Sequence, residues 1–125
     1  MKVELRCISC ILNRGYLQIQ EATGDRALQF KTLSALLWFL AEEFKPTANP
    51  ADLGTKRDRL IRKVTGNPDP YKQKKQLSNK KALEVVPLAK TIILKETSPE
   101  LRFRKACLSA IVGNIMEFDI PDNPF

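Results

Sequence analysis

Apolar positions recur at three- and four-residue steps along most of this chain, which predicts helices throughout. From Cys7 to about Glu21, Leu12, Tyr16 and Ile19 share one face. Gly24 interrupts that pattern, and Asp25 stands where an N-cap would open a second helix. This helix runs to about Phe44 with Leu33, Leu36, Leu37 and Leu40 as its stripe, widened by Phe30, Trp38 and Phe39. So much of its circumference is apolar that it is predicted to be the central helix of a bundle. Pro46 ends it. Asn49-Pro50 pairs a cap with proline at the first helical position, and Asp52 suits the positive end of the dipole. The third helix carries Leu53, Leu60, Ile61 and Val64 inward, and Gly66 can close it in the left-handed conformation. Asp69-Pro70 repeats the cap-plus-proline device for a fourth helix reaching about Lys95, kinked or broken near Pro87. Ser98-Pro99-Glu100 opens a fifth, Leu101 to Val112, which Gly113 stops. Ile115 to Pro121 is apolar without helical period. No alternating strand pattern and no internal repeat occurs, so the expected fold is all-α, a bundle of about five helices occupying residues 1–125 as one helical domain.

The fourth helix changes character along a single face. At ~100° per residue, Ala82, Val85, Val86, Ala89, Ile92 and Ile93 fall in the sector of Tyr71, and that sector is expected to be buried. Lys74, Lys75 and Ser78 lie in the same sector nearer the helix start, with Asn79 at its edge. Lys75 and Asn79 are four apart and hence neighbours on the surface. Unpartnered buried lysines are costly, so this end must meet water, a carboxylate or an anion. The helix start adds partial positive charge there. A solvated basic helix end projecting beyond the core satisfies the same pattern, and the two readings stay open at this point.

Charge sharpens the location. The 125 residues carry a net charge of +7. Between Lys56 and Lys81, ten basic residues face only Asp58 and Asp69, so this window holds +8 and the rest of the chain is close to neutral. A local patch calls for a local anionic partner: a phosphate ester, a nucleic acid or an acidic neighbouring domain. With 43% apolar residues the chain can build a modest core. No apolar run spans a bilayer, and the charged start Met1 to Arg6 does not suit a signal peptide, so a cytoplasmic protein is expected. Histidine is absent, which excludes Ser-His-Asp and Cys-His nucleophile pairs and His-containing zinc sites within the chain.

Cys7-x-x-Cys10 is a weak metal signal, because structural zinc takes four ligands and Cys107 supplies at most a third. Its plain reading is two small half-buried residues at a helix start, though thiolates near a helix N-terminus also bind metals or oxidise. Cys107 reads as core. After Gly113, Asn114 serves as a helix stop, or its amide and the Glu117 carboxylate project into a site.

Cys7-x-x-Cys10, then Thr65-Gly66-Asn67-Pro68-Asp69-Pro70-Tyr71 with Lys75, Ser78 and Asn79, then Ala110-Ile111-Val112-Gly113-Asn114, closely resemble in order and spacing the N-terminal helical domain of the prokaryotic damage-control phosphatases. That family is also known as domain of unknown function eighty-nine, with an acidic residue methyltransferase-like, metal-binding label. The resemblance covers nearly the whole chain and rests most on the Gly-Asn-Pro-Asp-Pro-Tyr run. It implies a divalent-metal-dependent phosphatase acting on sugar phosphates or damaged phosphorylated metabolites. Magnesium, manganese, nickel or cobalt would polarise the phosphoryl group and activate water. In the family an Asp-Asn pair and a further Asp of a C-terminal α/β domain hold the metal. That domain is expected to be absent here, so no metal ligand or catalytic residue is carried onto this chain, which should be inactive alone. Lys75, Asn79 and Asn114 are carried over as substrate contacts. Glu117 stands where relatives commonly have Asp. Expected partners are a phosphorylated small molecule and the missing α/β domain or a partner chain, with no membrane.

A reading from a different class is a basic helical module that binds nucleic acid, or a docking protein, through the Lys56–Lys81 window. It rests on charge alone, since Tyr71 is the one aromatic in the window. Nucleic acid is therefore not the expected partner.

Overall fold

The computed structural model describes residues 2–113. It contains five helices, α1 (Cys7–Ala22), α2 (Arg26–Glu43), α3 (Pro50–Thr65), α4 (Lys72–Leu94) and α5 (Pro99–Gly113), and no strand among the described residues. The expected all-α bundle is therefore observed. Contacts group the chain into two compact units, which meet in sequence between Tyr71 and Lys72.

In the first unit α1, α2 and α3 pack against one another. Local chemistry sets their ends as the sequence predicts. Asp25 caps α2 by accepting from the Ala27 and Leu28 amides. Asn49 caps α3 through the Ala51 amide at 2.9 Å, with Pro50 in the first turn. Gly66 closes α3 at φ 72°, a region that disfavours any Cβ. Ile11, Ile19 and Ala22 of α1 meet Leu36 and Leu40 of α2 and Leu53 and Ile61 of α3 in the core.

Two features of that core were not foreseen. The buried face of α1 consists of Ile11, Gly15, Gln18, Ile19 and Ala22, while Tyr16 of the expected stripe is exposed. At Gly15 a Cβ would stand 2.4 Å from Leu36 Cδ2 and 3.1 Å from Arg57 Cδ, so both neighbouring helices rest on bare backbone. Nor is α2 enclosed. Thr32, Leu36 and Leu40 face the core, but Trp38 is 72% and Phe30 62% exposed. Each helix of a three-helix unit touches two others, which leaves part of its circumference uncovered whatever the sequence places there. The Phe30 ring receives Arg26, whose guanidinium lies 5.8 Å from its centroid.

Lys56 of α3 is paired with Glu43 at the end of α2. The Lys56 hydrogen bond first, then its charge, holds the Glu43 carboxyl below the ordinary value of 4.5. A carboxyl lowered in the folded state contributes stability above its unfolded pKa and loses it as pH falls through its folded pKa. The difference in melting temperature between the protein and Glu43→Gln should therefore be largest at neutral pH, shrink below the ordinary glutamate range, and fall with added salt because the pair is exposed. Thermal melts across pH measure it; a difference constant with pH would contradict it.

In the second unit α4 and α5 pack together. Their connection is tied by the Lys105–Glu96 ion pair and by Arg102 Nε, which donates to the Glu96 carbonyl at 2.6 Å. Pro87 lies within α4, whose helical span continues through it. The sequence expectation fails on burial. No residue of α4 or α5 is buried, and Leu83, Leu88, Phe103 and Ile111 are each more than 60% exposed. Two helices have one mutual face, which is too little to bury stripes as wide as these. Cys107, expected in the core, is exposed for the same reason.

Candidate functional site

The run that links the two units folds as a turn with its polar groups committed. The Thr65 hydroxyl donates to the Ile61 carbonyl at 2.7 Å and accepts from the Asn67 amide. Asn67 Nδ2 donates to the Ala22 carbonyl at the end of α1 at 3.0 Å, while its Oδ1 accepts from the Asp69 amide at 3.0 Å. Pro70 is buried. Asn67 thus joins the end of α3 to the end of α1, and its side chain serves the fold of the first unit.

Lys75 and Asn79 belong to the second unit. Both are exposed in the first two turns of α4, one turn apart along the helix. Lys72, Lys74 and Lys80 are exposed around them, and the first turn holds no acidic residue. This is a cationic strip beside the positive end of a helix dipole, able to attract an oxyanion and donate to it. Asn114 and Glu117 lie outside the described residues, so Lys75 and Asn79 are the expected contacts that the structure places together.

The basic window is less uniform than its charge suggests. Lys56 is paired with Glu43, and Arg57 is 7% exposed. Arg57 Nε and Nη2 donate to Asp58 Oδ1 at 2.9 and 2.8 Å, and Nη1 donates to the Ile11 carbonyl at 3.3 Å. Part of the charge on which a nucleic-acid reading rests is therefore internal or paired. The cationic sequence run counted Arg57 as surface; its four-residue steps from Leu53 and to Ile61, both in the core, were the signal that placed it inward.

A groove of about 410 Å³ lies between α1 and α3, lined by Cys7, Cys10, Arg14, Thr55, Arg57 and Asp58 among others. Cys7 is half-buried and packs on the core, and Cys10 is exposed. Among the described residues no group of three or more Cys, Asp or Glu is arranged to hold a metal ion. No described helix is long and apolar enough to cross a membrane.

The family profile described as damage-control phosphatase ARMT1-like domain matches residues 3–124. An uncharacterized protein of Methanocaldococcus jannaschii is 33% identical over 119 residues, covering 94% of this chain and 38% of that relative. A protein of Archaeoglobus fulgidus named damage-control phosphatase is 32% identical over 120 residues, 96% of this chain and 41% of the relative. One of Pyrococcus horikoshii, also named damage-control phosphatase, is 28% identical over 124 residues, 99% of this chain and 41% of the relative. No solved structure matches the chain significantly. The chain spans about two-fifths of the length of these curated relatives.

Proposed function

Because this chain belongs to the damage-control phosphatase ARMT1-like family, we propose that it supplies the helical wall of a cytoplasmic, divalent-metal-dependent phosphatase acting on sugar phosphates or damaged phosphorylated metabolites. The family match across residues 3–124 carries this reading. The exposed cationic strip of α4 supports it from the residues themselves.

Lys75 brings a point charge and Asn79 an amide donor to the phosphoryl oxygens, and Asn114 of the Gly-Asn motif joins them. Charge-assisted hydrogen bonds of this kind bind and orient a phosphate ester. The metal that the family implies, magnesium, manganese, nickel or cobalt, does not fit the described residues. Histidine is absent from the chain, and no acidic or thiol cluster of three is present among them. The reading assigns its ligands to an Asp-Asn pair and a further Asp outside this chain, in an α/β domain. The exposed apolar residues of α4 and α5 are then a face for that domain or for a partner chain.

Two measurements test the proposal. The purified 125-residue chain, given a generic phosphate ester and each of the four metals, is expected to show no metal-dependent turnover; turnover would overturn the division of labour. In a polypeptide extended to the length of the relatives, Lys75→Ala should raise KM about tenfold, equivalent to ~1.4 kcal/mol, with a smaller change in kcat. An unchanged KM would remove Lys75 from the site.

A further inference from the structure

The groove between α1 and α3 contains two thiols that the phosphatase reading does not use. Cys7 is the first residue of α1 and Cys10 stands three residues on, so both occupy its first turn. Helix geometry, with a rise of ~1.5 Å and a turn of ~100° per residue, puts their Cα atoms ~5 Å apart. A disulfide bridges Cα separations of about 4.4 to 6.8 Å, so this spacing meets the distance condition for a bridge. The two thiols also differ in access. Cys10 is exposed, whereas Cys7 is half-buried against the core and its Sγ accepts from the Glu4 amide at 3.4 Å. Both line the same cavity of about 410 Å³. That volume falls within the ordinary range of small-molecule sites, about 300 to 1,000 Å³. Cys107, on α5, is not among the residues that line it.

We propose that Cys7 and Cys10 form a dithiol that exchanges with small-molecule disulfides through this groove. Cys10, as its thiolate, attacks one sulfur of the incoming disulfide. It forms a mixed disulfide and releases the first small thiol. Cys7, as its thiolate, then attacks Cys10 Sγ, closes the Cys7–Cys10 bond and releases the second small thiol. The protein dithiol loses two electrons and two protons, and the small disulfide gains both as two thiols. The assignment of roles follows from access, since the attacking thiol must be reached from solvent and the resolving thiol need reach only its neighbour.

The test equilibrates the full chain with glutathione at ratios from strongly reducing to strongly oxidising. Acid quenching, alkylation and peptide mass analysis follow. Cys7 and Cys10 should lose alkylation together and appear as one internally bridged peptide, while the exposed Cys107 stays alkylatable or carries glutathione but forms no internal bridge. In Cys7→Ser, glutathione should accumulate as a mixed disulfide on Cys10; in Cys10→Ser, Cys7 should stay largely unmodified. Three results overturn the proposal: both thiols staying alkylatable at every ratio, a bridge formed to Cys107 or between chains instead, or both thiols shielded by stoichiometric zinc that a chelator releases. Glutathione accumulating on Cys7 in Cys10→Ser, with Cys10 unmodified in Cys7→Ser, would overturn the order of attack.

Discussion

Asp58→Ala is expected to destabilise the first unit by ~2–3 kcal/mol, more than removal of its partner Arg57. The asymmetry comes from where each charge sits. The Arg57 side chain is 9% exposed and that of Asp58 35%. Without the carboxylate, the guanidinium keeps only the Ile11 carbonyl as a described acceptor, at 3.3 Å, in a place water reaches poorly. Without the guanidinium, the carboxylate turns to solvent. Arg57→Met keeps the aliphatic stem that packs beside Gly15 and should cost only ~1 kcal/mol. The range for Asp58→Ala lies below the ~3–5 kcal/mol typical of a fully buried broken pair, because Asp58 is partly hydrated. Urea unfolding followed by far-UV circular dichroism gives the comparison. Equal losses for the two variants would show that packing of the stem, rather than compensation of charge, is what matters at this position.

Gly15→Ala is expected to lose ~1–2 kcal/mol, the balance of an overpacking cost of ~1–3 kcal/mol against a helix-propensity gain of ~1 kcal/mol. The clash with Leu36 Cδ2, at 2.4 Å from the new Cβ, has no cheap relief, because Leu36 is fully buried and cannot swing outward. Gly54→Ala in α3 is the control. A Cβ there meets nothing within 4 Å, so the same substitution should gain ~0.5–1 kcal/mol from propensity. Two glycines in two helices of one unit thus respond with opposite sign. Matching signs would contradict the close approach at Gly15.

These two sites also mark where the sequence could be read and where it could not. The ends of α2 and α3 were legible because Asp25, Asn49-Pro50 and Gly66 act on their own neighbouring amides and carbonyls. The buried face of α1 was not. Hydropathy assigns no inward weight to Gly15 or Gln18, yet a glycine is buried when a neighbouring helix needs its missing side chain. Arg57 was misread for the converse reason, since its charge counted toward a surface patch while its position on α3 pointed inward. In the candidate site the four-residue spacing of Lys75 and Asn79 was enough to put them on one strip, because helix periodicity is local. The burial expected for the rest of α4 depended on what lies against it, and no local rule supplies that. The Thr65–Tyr71 run was legible as a turn, but the use of Asn67 to hold the Ala22 carbonyl needed the tertiary structure.

The outward face of α2 has an optical consequence. Trp38 is the sole indole of the chain and is 72% exposed. Its emission should already be red and open to soluble quenchers in the native protein, so unfolding of the core would change it little. What approaches α2 would change it more: a molecule that covers this face would shift the emission to the blue and shield it from iodide, an intrinsic signal for contact rather than for folding.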